Sequence, residues 1–375
     1  MPASIPFVLR NTTQSASLFA YVTGIALQHD SQRCLLRSTG TDLYFPTSPS
    51  SICSPLAEDC AIPLGPPGQE TTLQIPQLAG GRLWISRDAK LTFLLNPGPA
   101  LVEPSVLNPS DPNADIDFGF VEFTLNDAQL YANISYVDFV PRLPIAINLQ
   151  TESGARTNVT GIPSNGIEEI ASRLRDQAGT DGRPWDRLVV SSKADGQPLR
   201  VLNATHGNTV GANFDGYYEP YVDQVWQKYS QGARLEIDTQ SAAGTVTGSV
   251  DGSGNLTFGA GLEFGRPSTT DIFGCNSGPF VTGSSQERNA IIPRLAAAFV
   301  RSTLLTDTMQ PSDPAGYYKD STTQHYCRIV HEVNADMKGY AFAYDDVQPS
   351  GGEDQSGKAN AGDPTVFTVT LGGGH

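Results

Sequence analysis

The chain has 375 residues and a formal net charge of −15. That excess of acid disfavours nucleic acid and anionic membrane as partners, because neutralising phosphate takes clustered Lys and Arg. A chain of this length can bury a sizeable core and is expected to divide into two lobes.

Residues 1–150 read as short strands. FVLRNTT, SLFAYVTGIALQ, CLLRS, LYFP, TTLQIPQL, GRLWISRD and KLTFLLN alternate or run apolar and are broken by Gly, Pro, Ser and Asn. Strands at such close intervals predict a β-sandwich or barrel. The stretch FGFVEFTLNDAQLYANISYVDFVPRLPIAINL (118–149) continues them and carries two acids that interrupt apolar alternation, Glu122 and Asp138. In VEFTLN, Val121, Phe123 and Leu125 fall on one strand face and Glu122, Thr124 and Asn126 on the other. In SYVDFV, Val137 and Phe139 point one way, Tyr136 and Asp138 the other. Paired acids on the floor of a wet cleft suit attack on glycosidic bonds. Ordinary solvent-facing residues of an amphipathic sheet would show the same spacing.

Helical periodicity begins later. At 166–176, Ile167, Ile170, Ala171 and Leu174 share a face, and Asn165 with Glu168 reads as a capping box. A second helix is predicted from about Pro220 to Tyr229, with Tyr221, Val225 and Trp226 on one side. A third covers about 290–305, with Pro293 near its start and Leu295, Ala298, Phe299 and Ser302 on a face. RLVVSS, RLEIDT, GTVTGSVDG and NLTFGA are strands among these helices, so 151–335 is a mixed α/β region. GYAFAYDDV (339–347) and TVFTVTLGG (365–373) return to strand character and are expected to rejoin the first sheet. The expected architecture is therefore mainly β: residues 1–150 with about 336–375 form a sandwich or barrel lobe carrying both acids. Residues 151–335 form the other wall of a wide groove.

The five cysteines, Cys34, Cys53, Cys60, Cys275 and Cys327, permit two disulfides and a free thiol. A Cys275–Cys327 bridge and one bridge among the first three are expected. Sequons at Asn11, Asn133, Asn158, Asn203 and Asn255 point to secretion, although MPASIPFVLR lacks the apolar core of a signal peptide. No run approaches the length of a membrane-crossing helix.

Other motifs fail on inspection. Asp111, Asn113, Asp115 and Glu122 fall in an EF-hand register, but Ile116 replaces the Gly of the sharp turn. Gly352, Gly357 and Lys358 imitate a phosphate loop in which Ala359 replaces the magnesium-binding hydroxyl. His325, Cys327 and His331 lack a zinc spacing. There is no Gly-x-Ser-x-Gly element, and no histidine lies near a motif that would make it a general base. No metal or cofactor is expected.

The 118–149 stretch, with GRLWISRD (81–88) and YAFAYDDV (340–347), resembles glycoside hydrolase family 64, secreted β-1,3-glucanases of which some release laminaripentaose. It resembles thaumatin-like proteins more distantly. YVDQVWQKYS, GTVTGSVDGSGNLTF, PSTTDIFGCNSGPF and the helix ending in FVRSTLL extend the resemblance over most of the chain. It implies Glu122 as general acid, Asp138 as general base, and sugar contacts from Thr124 and Asn126. It also implies hydrolysis with inversion, which needs carboxyl groups roughly 6.5–9.5 Å apart. Asp138, with Asp345 and Asp346, would help keep Glu122 protonated through like-charge repulsion. Tyr136, Tyr131, Trp84, Tyr217 and Tyr218 are candidate sugar platforms, although core packing is favoured for Trp84, as for Trp226. Ile134 and Asp138 share a parity, so a regular strand would turn the Asn133 sequon away from the cleft. The expected protein is a secreted, monomeric endo-β-1,3-glucanase. Its rival is a non-catalytic thaumatin-like glucan-binding or antifungal protein.

Overall fold

Strict alternation organises the first strand of the computed structural model, which describes residues 2–373. In Ser4–Asn11, Ile5, Phe7, Leu9 and Asn11 are buried, while Arg10 faces out. This strand belongs to a five-stranded sheet ordered Arg156–Val159, Ile145–Thr151, Pro364–Leu371, Ser4–Asn11, Glu70–Pro76. Pro364–Leu371 lies parallel to it, with Phe367 opposite Phe7, so the last strand rejoins the first as its alternation predicted.

A larger sheet runs Lys358–Ala361, Leu130–Ile134, Asp117–Leu125, Leu78–Arg87, Leu18–Ala26, Gln32–Leu36, Leu43–Tyr44. The two sheets meet face to face through Phe7, whose ring lies 5.1 Å from Phe123 and 4.7 Å from Phe367. The opposite face of the larger sheet is split. One half carries Trp84, Phe118 and Phe120, packed under Phe93, Phe139 and Leu202. The other half carries Arg82, Glu122, Thr124 and Tyr131 and stays open.

The helices pack onto the sheets without a break in the core, which runs from Phe7 and Phe123 through Tyr136 to Trp185, Phe299 and Tyr326. Gly166–Asp181 buries Ile167, Ile170, Ala171 and Leu174 as its spacing predicts, but Asn165 makes no side-chain cap. Glu219–Ser230 buries Tyr221, Val225 and Trp226. The third helix is Gln286–Val300, capped by Ser285 and with Pro293 inside it. It starts earlier than predicted and ends before Ser302, whose φ of 55° breaks the helix. Thr269–Gly274 and His325–Val333 are further helices that the periodicity did not reveal. Among the described residues, no helix is long and apolar enough to cross a membrane.

Two expectations fail here. GYAFAYDDV is not a strand: it is turn-rich, with only Tyr340 bridging to Ser135. Buried Asp345 accepts the Ala341 N–H at 2.9 Å and folds the segment back on itself. The expected disulfides are also not formed, since all five cysteines are free thiols. Cys275 and Cys327 instead give their S–H to the carbonyls of Ile272 (3.3 Å) and Ala341 (3.4 Å). Burial pushes the thiols up, to about 12 for Cys34 and Cys275 and about 11 for Cys60, as befits inert core groups.

Candidate active site

Glu122 sits mid-strand in Asp117–Leu125, opposite Arg82 on one side and Asn133 on the other. Val121, Phe123 and Leu125 are buried between the sheets, so period two turns Glu122 and Thr124 to the open face. The neighbouring strand approaches closely because position 81 is glycine. A Cβ there would lie 2.6 Å from the Phe123 ring. Past Gly81 the register slips, and the Gly80 N–H donates to Thr124 Oγ1 at 3.3 Å.

Arg82 is the hub of this face. Its Nε and Nη2 donate to Glu122 Oε1 at 3.2 and 3.1 Å, and its Nη1 donates to Glu103 Oε2 at 2.8 Å. The guanidinium lies over Trp84 and Phe120, 5.5 and 5.1 Å from their ring centres. Glu103 follows the short strand Ala100–Val102, and its Oε1 accepts the Thr23 hydroxyl at 2.8 Å. Burial works against the charge on Arg82, but Glu103, Glu122 and Asp138 outweigh it and hold its pKa above the ordinary value. Arg33, Gly80, Asn133 and Tyr131 complete a cleft of about 400 Å³ around these groups.

Asp138 arrives by a different route. The Leu130–Ile134 strand ends, the chain bends at 137–138, and Phe139–Pro141 resumes in another sheet, paired with Pro198–Leu202. Phe139 anchors the turn against Phe118 and Phe120, at 5.5 and 5.9 Å. Asp138 stays 42% exposed and meets His206 Nε2 through Oδ1 at 2.8 Å. Its main-chain carbonyl accepts the Asn203 N–H at 2.9 Å. Asn203 is itself locked, donating to Ala341 O (2.8 Å) and accepting from Gln324 Nε2 (3.2 Å). The hydrogen bond from His206, opposed by burial and aided by His206 and Arg82 charge, holds the Asp138 carboxyl below the usual range.

A family model described as beta-1,3-glucanase matches residues 3–371. The chain belongs to glycoside hydrolase family 64. It is 32% identical over 353 residues to a glucan endo-1,3-beta-glucosidase of Cellulosimicrobium cellulans and to one of Arthrobacter sp. (strain YCWD3). Those alignments take 92% of this chain and 62% of each relative, so the chain spans about three-fifths of their length. A laminaripentaose-producing beta-1,3-glucanase, solved with laminaritetraose, superposes with a TM-score of 0.86 at 32% identity over 99% of both chains. A family 64 domain from Clostridium beijerinckii shares the fold, with a TM-score of 0.77 at 21% identity over 98% of both chains.

In this family 64 chain the structure gathers only some of the predicted site residues. Glu122, Thr124 and Tyr131 share the cleft, and Tyr131 Oη reaches Asp346 Oδ2 at 3.4 Å. Asn126 spends its Oδ1 on the N–H groups of Ala128 (2.9 Å) and Gln129 (3.0 Å), capping the hairpin turn between Asp117–Leu125 and Leu130–Ile134. Tyr136 is not a platform: it is 1% exposed, with its hydroxyl accepting the Ile162 N–H. Trp84, Tyr217 and Tyr218 are likewise core residues. Asp345, expected beside Glu122, is not there either, because its side chain is sealed between Arg301 (3.1 Å) and His331 (2.9 Å). It cannot touch sugar.

Asn133 departs from its parity expectation. It pairs with Glu122 and shares its face, because the strand ends before Asp138 and parity does not carry through the bend. Asn11, Asn133 and Asn203 are all buried, so three of the five sequons cannot take a glycan in the folded chain. Sequence reasoning missed Arg82, Glu103 and His206. Alternation in GRLWISRD does place Arg82 with Trp84, but no local signal ties His206 to an acid 68 residues before it.

Proposed function

We propose that this chain is a secreted, monomeric, endo-acting β-1,3-glucan hydrolase that inverts the anomeric centre. Glu122 is its general acid and Asp138 its general base. One observation carries the reading. Two carboxylates, one on a strand and one at a bend between sheets, are each held through one oxygen (by Arg82 or by His206) and each keep the second oxygen free of hydrogen bonds among the described residues. Free oxygens in fixed orientations are what proton donation and proton abstraction require. The likeness to a glucanase solved with laminaritetraose supports the substrate class.

In this reading Glu122 Oε2 donates its proton to the glycosidic oxygen as the C1–O bond breaks. Asp138 Oδ2 takes a proton from the water whose oxygen attacks C1 from the opposite side. One turnover leaves Glu122 ionised and Asp138 protonated, and exchange with solvent restores both. Inversion is favoured because the two acids are not strand partners. Direct partners would hold their Cβ atoms only about 4.5–5.5 Å apart, whereas Glu122 faces Arg82 and Asn133. The acidity of the chain carries no penalty against an uncharged glucan. Extended glucan would run past Thr124 and Tyr131.

Glu122→Gln and Asp138→Asn should each lower laminarin turnover by about 10²-fold or more while leaving the thermal transition in place. Proton NMR of the first product should show the α-anomer. Near-normal turnover in either variant rejects its assignment, and a β-anomer formed first rejects inversion.

A further inference from the structure

The candidate acid faces a difficulty: a group that must carry a proton lies against a guanidinium, which favours its ionised form. The geometry around Arg82 resolves it. Glu103 holds Arg82 at 2.8 Å, shorter than either Arg82 contact to Glu122, and its second oxygen is taken by Thr23. Glu122 offers Arg82 one oxygen and keeps the other free. Glu103 is also the less exposed of the two, at 22% against 33%. A fixed carboxylate with both oxygens occupied is the natural permanent partner of the cation.

We infer that Glu103 is a positioning residue for the reaction: its fixed negative charge neutralises Arg82, so that Glu122 can hold the proton it donates. This rests on the acid role proposed for Glu122. With Glu103 ionised, protonating Glu122 leaves a neutral Arg82–Glu103 pair in the cleft wall. Without that charge, protonating Glu122 would leave a half-buried guanidinium unbalanced above Trp84 and Phe120. Arg82 therefore orients Glu122 Oε1 through hydrogen bonds without holding the group ionised.

Other charged groups around Glu122 are accounted for. Arg33 also lines the cleft but makes no hydrogen bond or ion pair to Glu122 among the described residues, and Tyr131 turns its hydroxyl to Asp346. Lys358, opposite Asn133, pairs with Asp354 at 3.7 Å. Asp138, at the bend between sheets, adds to the negative charge acting on Arg82 and is held by His206.

The test is the pH profile of kcat/KM on laminarin. Glu103→Gln keeps the shape and an acceptor for Arg82 but removes the charge. Its alkaline limb should move down by about one pH unit, a tenfold loss on the alkaline side, and Glu103→Asp should return the limb toward the parent. A limb that stays in place in Glu103→Gln, whatever the overall rate, overturns the inference. Should that variant not fold, Arg82→Gln decides: with the cation gone and Glu103 left beside Glu122, the limb should move up, and an unmoved or lowered limb overturns the inference. Glu122→Gln separates the two readings. If it is inactive while Glu103→Gln keeps the parent limb, only the role of Glu103 falls. If it is active, the acid assignment falls and this inference with it.

Discussion

Two of the arginine–carboxylate clusters in the chain, one around Arg82 and one around Arg301, differ in their access to water. In the cleft, Arg82 is shared by Glu103 and Glu122, with side chains 22–33% exposed. In the core, Asp345 sits between Arg301 and His331 with no exposure of its own side chain. Arg301 also donates to the carbonyls of Asp345 (2.8 Å) and Val347 (2.6 Å), and stacks 4.3 Å from the Tyr317 ring centre. His331 has an acceptor on each ring nitrogen, Met337 O at 3.1 Å and Asp345 Oδ2 at 2.9 Å, so both nitrogens carry hydrogen. Sealed, such a cluster sets the course of the chain and folds 339–347 into turns. Open to water and unequally held, the same groups can exchange protons and reach a ligand. Burial, rather than residue type, separates the structural acid from the candidate reactive one.

That contrast can be broken most decisively from the sealed side. Asp345→Asn leaves Arg301 and His331 buried without their counter-charge and should cost about 3 kcal/mol or more, read by urea unfolding. Glu103→Gln, in the open cluster, should cost less than about 1 kcal/mol in the same measurement, because water and Glu122 remain beside Arg82. Equal losses would dissolve the distinction between the clusters.

Proton linkage sharpens it further. Burial works against the charge on His331, but Asp345 outweighs it and raises the folded-state pKa above the ordinary 6.5. A raised folded pKa gives stability that is fully present below 6.5 and lost as pH rises through the folded value. The unfolding midpoint should therefore decline on the alkaline side of 6.5, and His331→Asn should flatten that decline. For Asp138 the sign is opposite, since its folded pKa is depressed, first by the His206 hydrogen bond. His206→Asn should move the acid limb of kcat/KM to higher pH by less than about one unit, with the alkaline limb unmoved. An acid limb that stays in place would show that His206 does not act through Asp138. The smallest effect belongs to the edge of the cleft: Tyr131→Phe loses one long contact to Asp346 and should change KM by less than about threefold. A larger change would move Tyr131 from wall to principal binding group.

Much of the β architecture is legible in the sequence. The strands predicted in FVLRNTT, SLFAYVTGIALQ and TTLQIPQL all form: in the first and third the apolar set reaches one core face at period two, and in the second both faces are buried. Helix edges are less legible, since the turn that ends Gln286–Val300 depends on Ser302 donating to Thr322 O at 2.7 Å, a partner outside any local window. The site divides the same way. Glu122 lies on a regular strand and its face follows from Phe123. Asp138 lies at a break between sheets, where parity stops meaning anything, and the Asn133 expectation fails for that reason.

Local chain pattern is thus enough to place Glu122 on its side of the strand, and Thr124 with it, because adjacent residues of a half-buried strand must alternate. It is also enough to make Pro364–Leu371 a strand. Which charges meet is settled only in three dimensions: Arg82 with Glu103 across 21 residues, Asp138 with His206 across 68, Asp345 with Arg301 across 44. Alternation is set by neighbours along the chain, whereas an ion pair is set by where chain closure brings two distant side chains and how much water it leaves around them.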